Sequence, residues 1–226
     1  MSSKQDTITM LAQLALTLVA LTPSILAAPT KRSTPLSCVE YQYGGPFTSS
    51  GSNGFIHLYS NVTTSYDPIE ETTTFVETRL GLNGTDGTIE PCGDCRTTEL
   101  FGFEVCQNDK RYGYDGLVNS PSSFYGHITY TNVSPSIQCL TATSSPAEGS
   151  SLKLADCQYD YEGAGSSGQY FEMAITNGVW SAHLIDDSNG VYGPNPDVSQ
   201  DVPLVLYDVI GANKTFTYFG FKAPEF

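Results

Sequence analysis

The amino-acid sequence predicts an all-β protein. Beyond the N-terminal thirty residues, no stretch keeps an apolar period of 3.6 residues for three helical turns. Short alternating or aromatic runs recur instead, and clusters of Gly, Pro, Asn and Ser separate them. This pattern is typical of a barrel or a sandwich and argues against an α/β fold. The predicted strands are residues 54–59, 73–80, 100–106, 126–130, 137–141, 151–155, 170–175, 179–185, 203–207 and 216–221.

The N-terminus carries the pattern of a secretory signal. Residues 11–28 are an apolar run that a proline interrupts and that ends in two alanines. The run is too short and too irregular for a membrane anchor, so we predict a signal peptide over residues 1–28. The pair Lys31-Arg32 follows and looks like a fungal-type propeptide cleavage site, although it could be an ordinary exposed charge pair. We therefore expect a propeptide over residues 29–32 and a secreted, extracellular product.

The predicted mature domain, residues 33–226, is strongly acidic. Without Lys4, Lys31 and Arg32, seven of the ten basic residues remain, and without Asp6, 23 of the 24 acidic residues remain, so its net charge is −16. Such a charge repels nucleic acids and anionic membranes, and we expect neither as a partner. The length suits one domain with a substantial core.

An even number of cysteines behind a secretory signal predicts disulfides. A hairpin over the fifth and sixth predicted strands would bring Cys139 next to Cys157. The other four cysteines allow three pairings, of which we favour Cys38–Cys106 with Cys92–Cys95. The Cys92-Gly-Asp-Cys95 motif could also be a redox motif or half of a zinc site. A turn-rich stretch precedes it and no helix is evident after it, which favours a structural disulfide. All six cysteines lie in residues 33–226: Cys38, Cys92, Cys95, Cys106, Cys139 and Cys157.

Asn-x-Ser/Thr sequons in a secreted chain mark surface positions that carry glycan. Four occur here, and we predict glycosylation at Asn61, Asn83, Asn132 and Asn213.

One segment resembles a known family. It begins Cys-Leu-Thr at residues 139–141, alternates at residues 152–154, reaches a second cysteine at Cys157, and closes on Gln-Tyr-Phe at residues 169–171. This order resembles one repeat of a ricin B-type lectin, in which Cys-Leu, a second Cys and Gln-x-Trp mark successive strands. Phe171 replaces the tryptophan. The resemblance implies a β-trefoil from a fungal secreted member of that family.

Internal repetition supports the same fold. Three histidines lie in similar frames, and an aromatic strand follows each of them. The three rounds predict one β-trefoil domain of three pseudo-repeats, approximately residues 38–110, 111–173 and 174–226. The histidines are His57, His127 and His183, and the aromatic strands contain Phe101, Tyr170 and Phe219.

The resemblance implies sugar binding through an aspartate, an aromatic ring and an asparagine. An aromatic ring stacks on the apolar face of a pyranose, and a carboxylate binds vicinal hydroxyls. In the second unit Thr141 stands at the aspartate position and Ala155 near the aromatic position, so the site looks lost there. In the third unit the resemblance places the trio at Asp186, Tyr207 and Asn213. The alternative is that these three are a turn cap, a core-edge aromatic and a glycosylation site.

The predicted function is therefore a secreted, non-catalytic carbohydrate-binding protein, with a glycan or a cell-wall polysaccharide as partner. The chain has no Gly-x-Ser-x-Gly motif and no identifiable catalytic residue or cofactor. The three histidines could suggest a metal site, but the repeat explains them equally, and we predict no metal. A second possibility is a protein-interaction or protease-inhibitor β-trefoil that presents residues 143–150 and 189–201 as loops. A third is a glycoside hydrolase that uses Asp186 and Asp187.

Overall fold

A computed structural model of the chain describes eleven stretches of residues: 34–40, 54–66, 71–92, 100–107, 123–130, 136–144, 147–176, 179–187, 190–197, 202–209 and 217–222. Ser33–Phe226 forms one compact unit. The predicted signal peptide and propeptide fall outside the described residues.

The described part of the chain is all-β, as the sequence predicts. It contains one 3₁₀ turn, Ala164–Ser166, and no α-helix. Its strands are β1 Ser37–Glu40, β2 Phe55–Tyr66, β3 Glu71–Leu82, β4 Ile89–Pro91, β5 Phe101–Gln107, β6 Ser123–Tyr130, β7 Gln138–Ala142, β8 Leu152–Asp156, β9 Phe171–Thr176, β10 Val179–Ile185, β11 Val191–Pro194, β12 Leu206–Asp208 and β13 Tyr218–Lys222.

The strands form one antiparallel sheet with an order that differs from the chain order. Its path is β1-β5-β6-β9-β10-β13-β2-β3-β4, and two hairpins branch from it, β7-β8 from β6 and β11-β12 from β10. Gly54, just before β2, also exchanges two backbone hydrogen bonds with Phe101, at 2.7 and 2.8 Å. The series of hydrogen-bonded strands that starts at β5 and continues with β6 therefore ends with β2, which is hydrogen-bonded to β5 again.

The core is built from alternate residues of the six strands β2, β5, β6, β9, β10 and β13. Alternate side chains of a strand share one face, so each strand contributes every second residue to the interior. Burying such a side chain contributes about 1.5–3 kcal/mol. The buried set on these strands includes Ile56, Leu58, Phe101, Phe103, Ile128, Phe171, Met173, Ala182, Leu184, Phe219 and Phe221.

Two disulfides join neighbouring segments of this sheet, and both of these pairings were favoured in the sequence analysis. Cys38 and Cys106 lie opposite each other on β1 and β5 and are bonded. Cys139 of β7 is bonded to Cys157. The sequence separations are 68 and 18 residues, and loops of those lengths correspond to about 4 and about 3 kcal/mol in the chain-entropy description. Cys92 is also disulfide-bonded, and its predicted partner Cys95 lies outside the described residues.

Three strands were not predicted from the sequence. β1 has no alternating pattern, and its Val39 is exposed, because β1 is an edge strand fixed by its pairing with β5. β4 and β11 are three and four residues long and contain proline. Segments this short do not show a detectable alternation of apolar and polar residues. They form strands because a longer neighbouring strand supplies their hydrogen bonds.

Candidate functional site

Asp186, the predicted sugar-binding carboxylate, lies just after β10 and is engaged within its own turn. Its Oδ1 accepts a hydrogen bond from the Gly190 N–H at 2.8 Å, and its Oδ2 accepts one from the Tyr192 hydroxyl at 2.8 Å. Burial and then this hydrogen bond raise the pKa of Tyr192 to about 12. Both carboxylate oxygens of Asp186 therefore hold the β10–β11 turn, which matches the turn-cap alternative.

Tyr207, the predicted stacking residue, is a core-edge side chain. It is 6% exposed, and its hydroxyl is hydrogen-bonded to Thr217 Oγ1 at 3.0 Å. Stacking on a sugar requires an open ring face. These contacts match the core-edge alternative, and Asn213, the third predicted member, lies outside the described residues.

The sequence analysis expected Thr141 and Asp186 to occupy matching positions, and the strand register allows the β7–β8 hairpin to be compared with the β11–β12 hairpin. We call β3–β4, β7–β8 and β11–β12 the first, second and third hairpins. Ala155 lies opposite Cys139 in one hairpin, and Tyr207 lies opposite Gly193 in the other. Thr141 lies two residues after Cys139 on β7. Asn195 lies two residues after Gly193, just past the end of β11. In this comparison of the two registers the position of Thr141 is matched by Asn195 and not by Asp186, which lies before β11. Asn195 is partly exposed, and its Oδ1 accepts the Asp197 N–H at 3.0 Å.

Gln169 is the residue whose role the structure makes clearest. It is fully buried, and its Nε2 donates to Thr141 Oγ1 and to the Asp156 carbonyl, both at 2.9 Å. Its Oε1 accepts the Gln158 N–H at 2.8 Å. Gln169 therefore joins the start of β9 to both strands of the β7–β8 hairpin.

The three histidines do not occupy one equivalent position. The positions that match one another in the strand register are Leu58, Tyr130 and Leu184. Each of them lies opposite the first aromatic core residue of a paired strand, which is Phe219, Phe101 and Phe171, respectively. His57 and His183 directly precede that position. In β6 the preceding residue is Thr129, and His127 lies two residues earlier, which the spacing along the sequence could not show.

His57 and His183 have separate environments. His57 Nε2 lies 3.1 Å from Glu77 Oε1, and its Nδ1 lies 3.2 Å from the Phe55 carbonyl. His183 packs edge-on against Tyr218, with ring centroids 6.1 Å apart, and burial lowers the pKa of its imidazole to about 4. Within the described residues, the three histidines do not converge on one point.

The sequence analysis did not predict a polar cluster in which the buried side chains of Glu104 and His127 meet the more exposed Tyr159. His127 is directly opposite Glu104 on the neighbouring strand, and its Nδ1 lies 3.2 Å from Glu104 Oε1. The Tyr159 hydroxyl donates to the same oxygen at 2.8 Å. Burial, followed by this hydrogen bond, raises the pKa of Tyr159 above its ordinary value. The β5–β6 register brings together Glu104 and His127, which lie 23 positions apart in the sequence. The segment after β8 adds Tyr159, which lies 55 positions from Glu104.

Both inter-strand disulfides border this cluster. Cys106 Sγ lies 3.8 Å from His127 Nδ1, and Cys139 Sγ lies 4.0 Å from Glu104 Oε1. Two groups of potential metal-ligating side chains result in the described part of the chain: Cys38 with Cys106 and His127, and Glu104 with His127 and Cys139. In the oxidised protein the cysteine sulfurs are held in disulfides and do not act as thiolate ligands.

Of the predicted glycosylation sites, Asn83 is the one whose side chain is described. It lies in the turn between β3 and β4, where its Oδ1 accepts the Thr85 N–H at 2.8 Å and its Nδ2 donates to Glu90 at 3.0 Å. Asn61 lies in β2, with its side chain outside the described set, and Asn132 and Asn213 are outside it altogether.

This chain matches no family model, no curated protein and no solved structure. In the part of the chain described, no helix has the length and apolar character needed to cross a membrane.

Proposed function

We propose that this chain is a secreted, non-catalytic carbohydrate-binding protein, built as a β-trefoil similar to the ricin B-type lectins. The observation that carries the proposal is the order of strand pairing. A β-trefoil consists of three four-stranded units, in which the first and fourth strands form a six-stranded barrel and the second and third form a hairpin that caps it. The pairings β2-β3-β4, β6-β7-β8 and β10-β11-β12, each followed by a core strand (β5, β9 and β13), fit that plan.

Contacts among the three hairpins support the same assignment. The Leu154 N–H donates to the Gly87 carbonyl of the first hairpin at 3.3 Å, and the Leu206 N–H donates to the Ser150 carbonyl at 2.8 Å. The Leu204 N–H donates to the Ile89 carbonyl at 2.8 Å. Each hairpin is therefore bonded to the other two, as expected of a triangular cap over a barrel.

The Gln169 contacts support the resemblance to the lectin repeat. A glutamine that links the fourth strand of a unit to its hairpin gives a structural reason for a Gln-x-aromatic sequence at this point. Its partner Thr141 stands where the family has its sugar-binding aspartate. The Thr141 hydroxyl is used by Gln169 and by the Cys139 carbonyl, to which it donates at 2.9 Å. The second unit therefore supports the fold assignment more strongly than it supports a sugar site.

The sugar contact is best placed on the third hairpin, at Asn195. This residue corresponds in register to the family's aspartate, is partly exposed, and carries an amide that both donates and accepts hydrogen bonds.

The non-catalytic part of the proposal rests on the titratable groups described above. Glu104 and His127 are buried, and Asp186 is committed to its turn. Secretion is supported by the apolar N-terminal run and by the disulfides.

The proposal is tested with the full chain secreted from a eukaryotic host and purified. It is applied to a glycan array and to pull-downs with insoluble cell-wall polysaccharides, and release of soluble sugar is measured in parallel. We expect binding to at least one carbohydrate without release of product. Failure to bind any sugar would overturn the carbohydrate assignment, and steady product release would overturn the non-catalytic one.

Variants at Asn195 test where the sugar binds. Asn195→Ala should weaken binding of the array hit at least about tenfold, because a lost hydrogen bond to a polar ligand costs about 1.5 kcal/mol. Asn195→Asp, which restores the family's carboxylate, should bind at least as well as the parent chain. Gln158→Ala is the matched control, because that amide side chain is exposed and does not belong to the third hairpin. Equal affinities for Asn195→Ala and the control would remove the site from this hairpin.

A further inference from the structure

We propose that Asn83 is a site of spontaneous deamidation in every chain that carries no glycan at this position. The backbone nitrogen of Gly84 attacks the Asn83 side chain, and ammonia is lost. The products carry aspartate or isoaspartate in place of the asparagine. This modification is independent of carbohydrate binding, and it changes the turn of the first hairpin.

The Asn-Gly dipeptide meets the least steric resistance in this reaction, because glycine has no Cβ next to the attacking nitrogen. The chain contains four such dipeptides, at residues 53–54, 83–84, 177–178 and 189–190. The nitrogen attacks after its proton has left, so an N–H that is held in a hydrogen bond reacts more slowly. The hydrogen bonds of the glycines therefore distinguish the four sites. Gly178 lies outside the described residues.

Gly84 differs from the other two described glycines of these dipeptides. The Gly54 N–H donates to the Phe101 carbonyl at 2.7 Å, and the Gly190 N–H donates to Asp186 Oδ1 at 2.8 Å. Among the residues that the structure describes, none accepts a hydrogen bond from the Gly84 N–H. Gly84 is also exposed, and a Cβ at this position would meet nothing within 4 Å. Water and hydroxide therefore reach the nitrogen that must lose its proton.

The turn holds the Asn83 side chain next to that nitrogen. Asn83 Oδ1 accepts the Thr85 N–H at 2.8 Å, and the ring that this hydrogen bond closes contains both Asn83 Cγ and the Gly84 nitrogen. The Thr85 N–H also stabilises the negative charge that develops on Oδ1 during the attack. Asn83 Nδ2 donates to Glu90 Oε2 at 3.0 Å. The leaving nitrogen thus lies next to a carboxylate, which stabilises the positive charge that it gains on protonation.

The atoms balance with water as the co-reactant. Hydroxide removes the Gly84 N–H proton, a bond forms between that nitrogen and Asn83 Cγ, and the bond between Cγ and Nδ2 breaks. Nδ2 takes up a proton from water and leaves as ammonia, so that a succinimide ring remains. Water then opens the ring at one of its two carbonyl carbons. Opening at Cγ gives aspartate, and opening at the main-chain carbonyl gives isoaspartate, in which the main chain runs through the former side chain.

The modification alters a turn that contacts the second hairpin. Either product adds a negative charge next to Glu90, and isoaspartate also converts the Asn83 main-chain carbonyl, which accepts the Gly87 N–H at 2.9 Å, into a free carboxylate. The Gly87 carbonyl in turn accepts the Leu154 N–H at 3.3 Å. We therefore expect the converted chain to unfold at a lower temperature than the parent chain.

The experiment uses the full secreted chain carrying Thr85→Ala. A glycan would occupy Nδ2 of Asn83, the atom that deamidation removes, and this substitution abolishes the sequon while the backbone N–H at the same position remains. The purified protein is kept at mildly alkaline pH in heavy-oxygen water, which labels each product when the ring opens. Peptides are then prepared at mildly acidic pH. Chromatography with mass spectrometry measures asparagine, aspartate and isoaspartate at each Asn-Gly dipeptide.

We expect Asn83 to be converted at least about tenfold faster than Asn53 and Asn189, because attack at those two sites first requires loss of a glycine hydrogen bond. Adding Gly84→Ala should slow the conversion at least about tenfold, since a Cβ hinders the attacking nitrogen. That substitution is a matched control, because a Cβ at this position meets nothing within 4 Å and the turn can stay as it is. In denaturing urea the three asparagines should react at similar rates.

Three results would overturn the proposal. The first is that Asn83 stays asparagine or is converted no faster than Asn53 and Asn189, and the second is an unchanged rate in the Gly84→Ala variant. The third is a rate for Asn83 in the folded protein that is more than about tenfold below its rate in urea. That result would mean that the folded turn protects this asparagine and does not leave it reactive.

Discussion

His127 and Glu104 lie directly opposite each other on β6 and β5, and their side chains meet at 3.2 Å between Nδ1 and Oε1. Tyr159 donates to the same carboxylate oxygen from the segment that follows β8. The Tyr159–Glu104 hydrogen bond therefore joins the segment after β8 to β5.

The Glu104 cluster should contribute measurably to stability. Glu104→Gln removes the charge that accepts both hydrogen bonds and should lower the free energy of unfolding by about 2 kcal/mol, whereas Tyr159→Phe should cost about 1 kcal/mol. Because the two groups share one contact, the double variant should lose less than the sum of the two losses. Urea unfolding of the four proteins measures the coupling. Strict additivity would show that the Tyr159–Glu104 bond does not contribute.

Gln169 should be among the least replaceable polar residues. Gln169→Leu keeps a similar volume but leaves the Gln158 N–H, the Asp156 carbonyl and Thr141 without this partner, which should cost about 3 kcal/mol. Gln158→Ala, which preserves the backbone donor, should change stability by less than about 0.5 kcal/mol. Thermal unfolding compares the two variants with the parent chain. A small effect of Gln169→Leu would contradict the linking role.

His183 should make the protein less stable in acid. Burial lowers the pKa of its imidazole from 6.5 to about 4, so the unfolded chain takes up a proton at a higher pH than the folded chain does. The free energy of unfolding should therefore fall as the pH drops from 6.5 to 4, by about 3 kcal/mol from this group.

The His183 contribution can be isolated from that of the carboxylates. His183→Gln does not titrate, so the stability difference between the parent chain and this variant should shrink as the pH falls from 7 to 4. A difference that stays constant over that interval would show that His183 is not held neutral in the folded state.

Gly126 should not tolerate a side chain. A Cβ at this position would collide with the Glu104 carbonyl on the paired strand, which is backbone and cannot move aside. Gly126→Ala should therefore cost more than about 3 kcal/mol or prevent secretion. Gly84→Ala is the control, since a Cβ there meets nothing within 4 Å and the Asn83 sequon is kept. Secreted yield and urea unfolding test both variants.

The sequence determined the all-β class because its alternating and aromatic runs directly encode which face of a strand is buried. Two disulfides were also predictable: the hairpin brings Cys139 to Cys157, and Cys38–Cys106 was the favoured choice among the remaining pairings. The resemblance to a lectin repeat drew attention to Gln169, but it gave no indication of the three hydrogen bonds that its side chain makes.

Only the tertiary structure decided the positions of the side chains that matter for chemistry. Strand register is set by pairing between distant segments, and a shift of two residues keeps the same face buried. The apolar pattern therefore could not distinguish His127 from Thr129 as the residue that matches His57 in the strand register. Asp186 and Asn195 lie on either side of β11, and only the pairing of β11 with β12 shows which of them matches Thr141. The contact between Glu104 and His127 depends on the β5–β6 register, and Tyr159 reaches the same carboxylate because the segment after β8 lies next to β5.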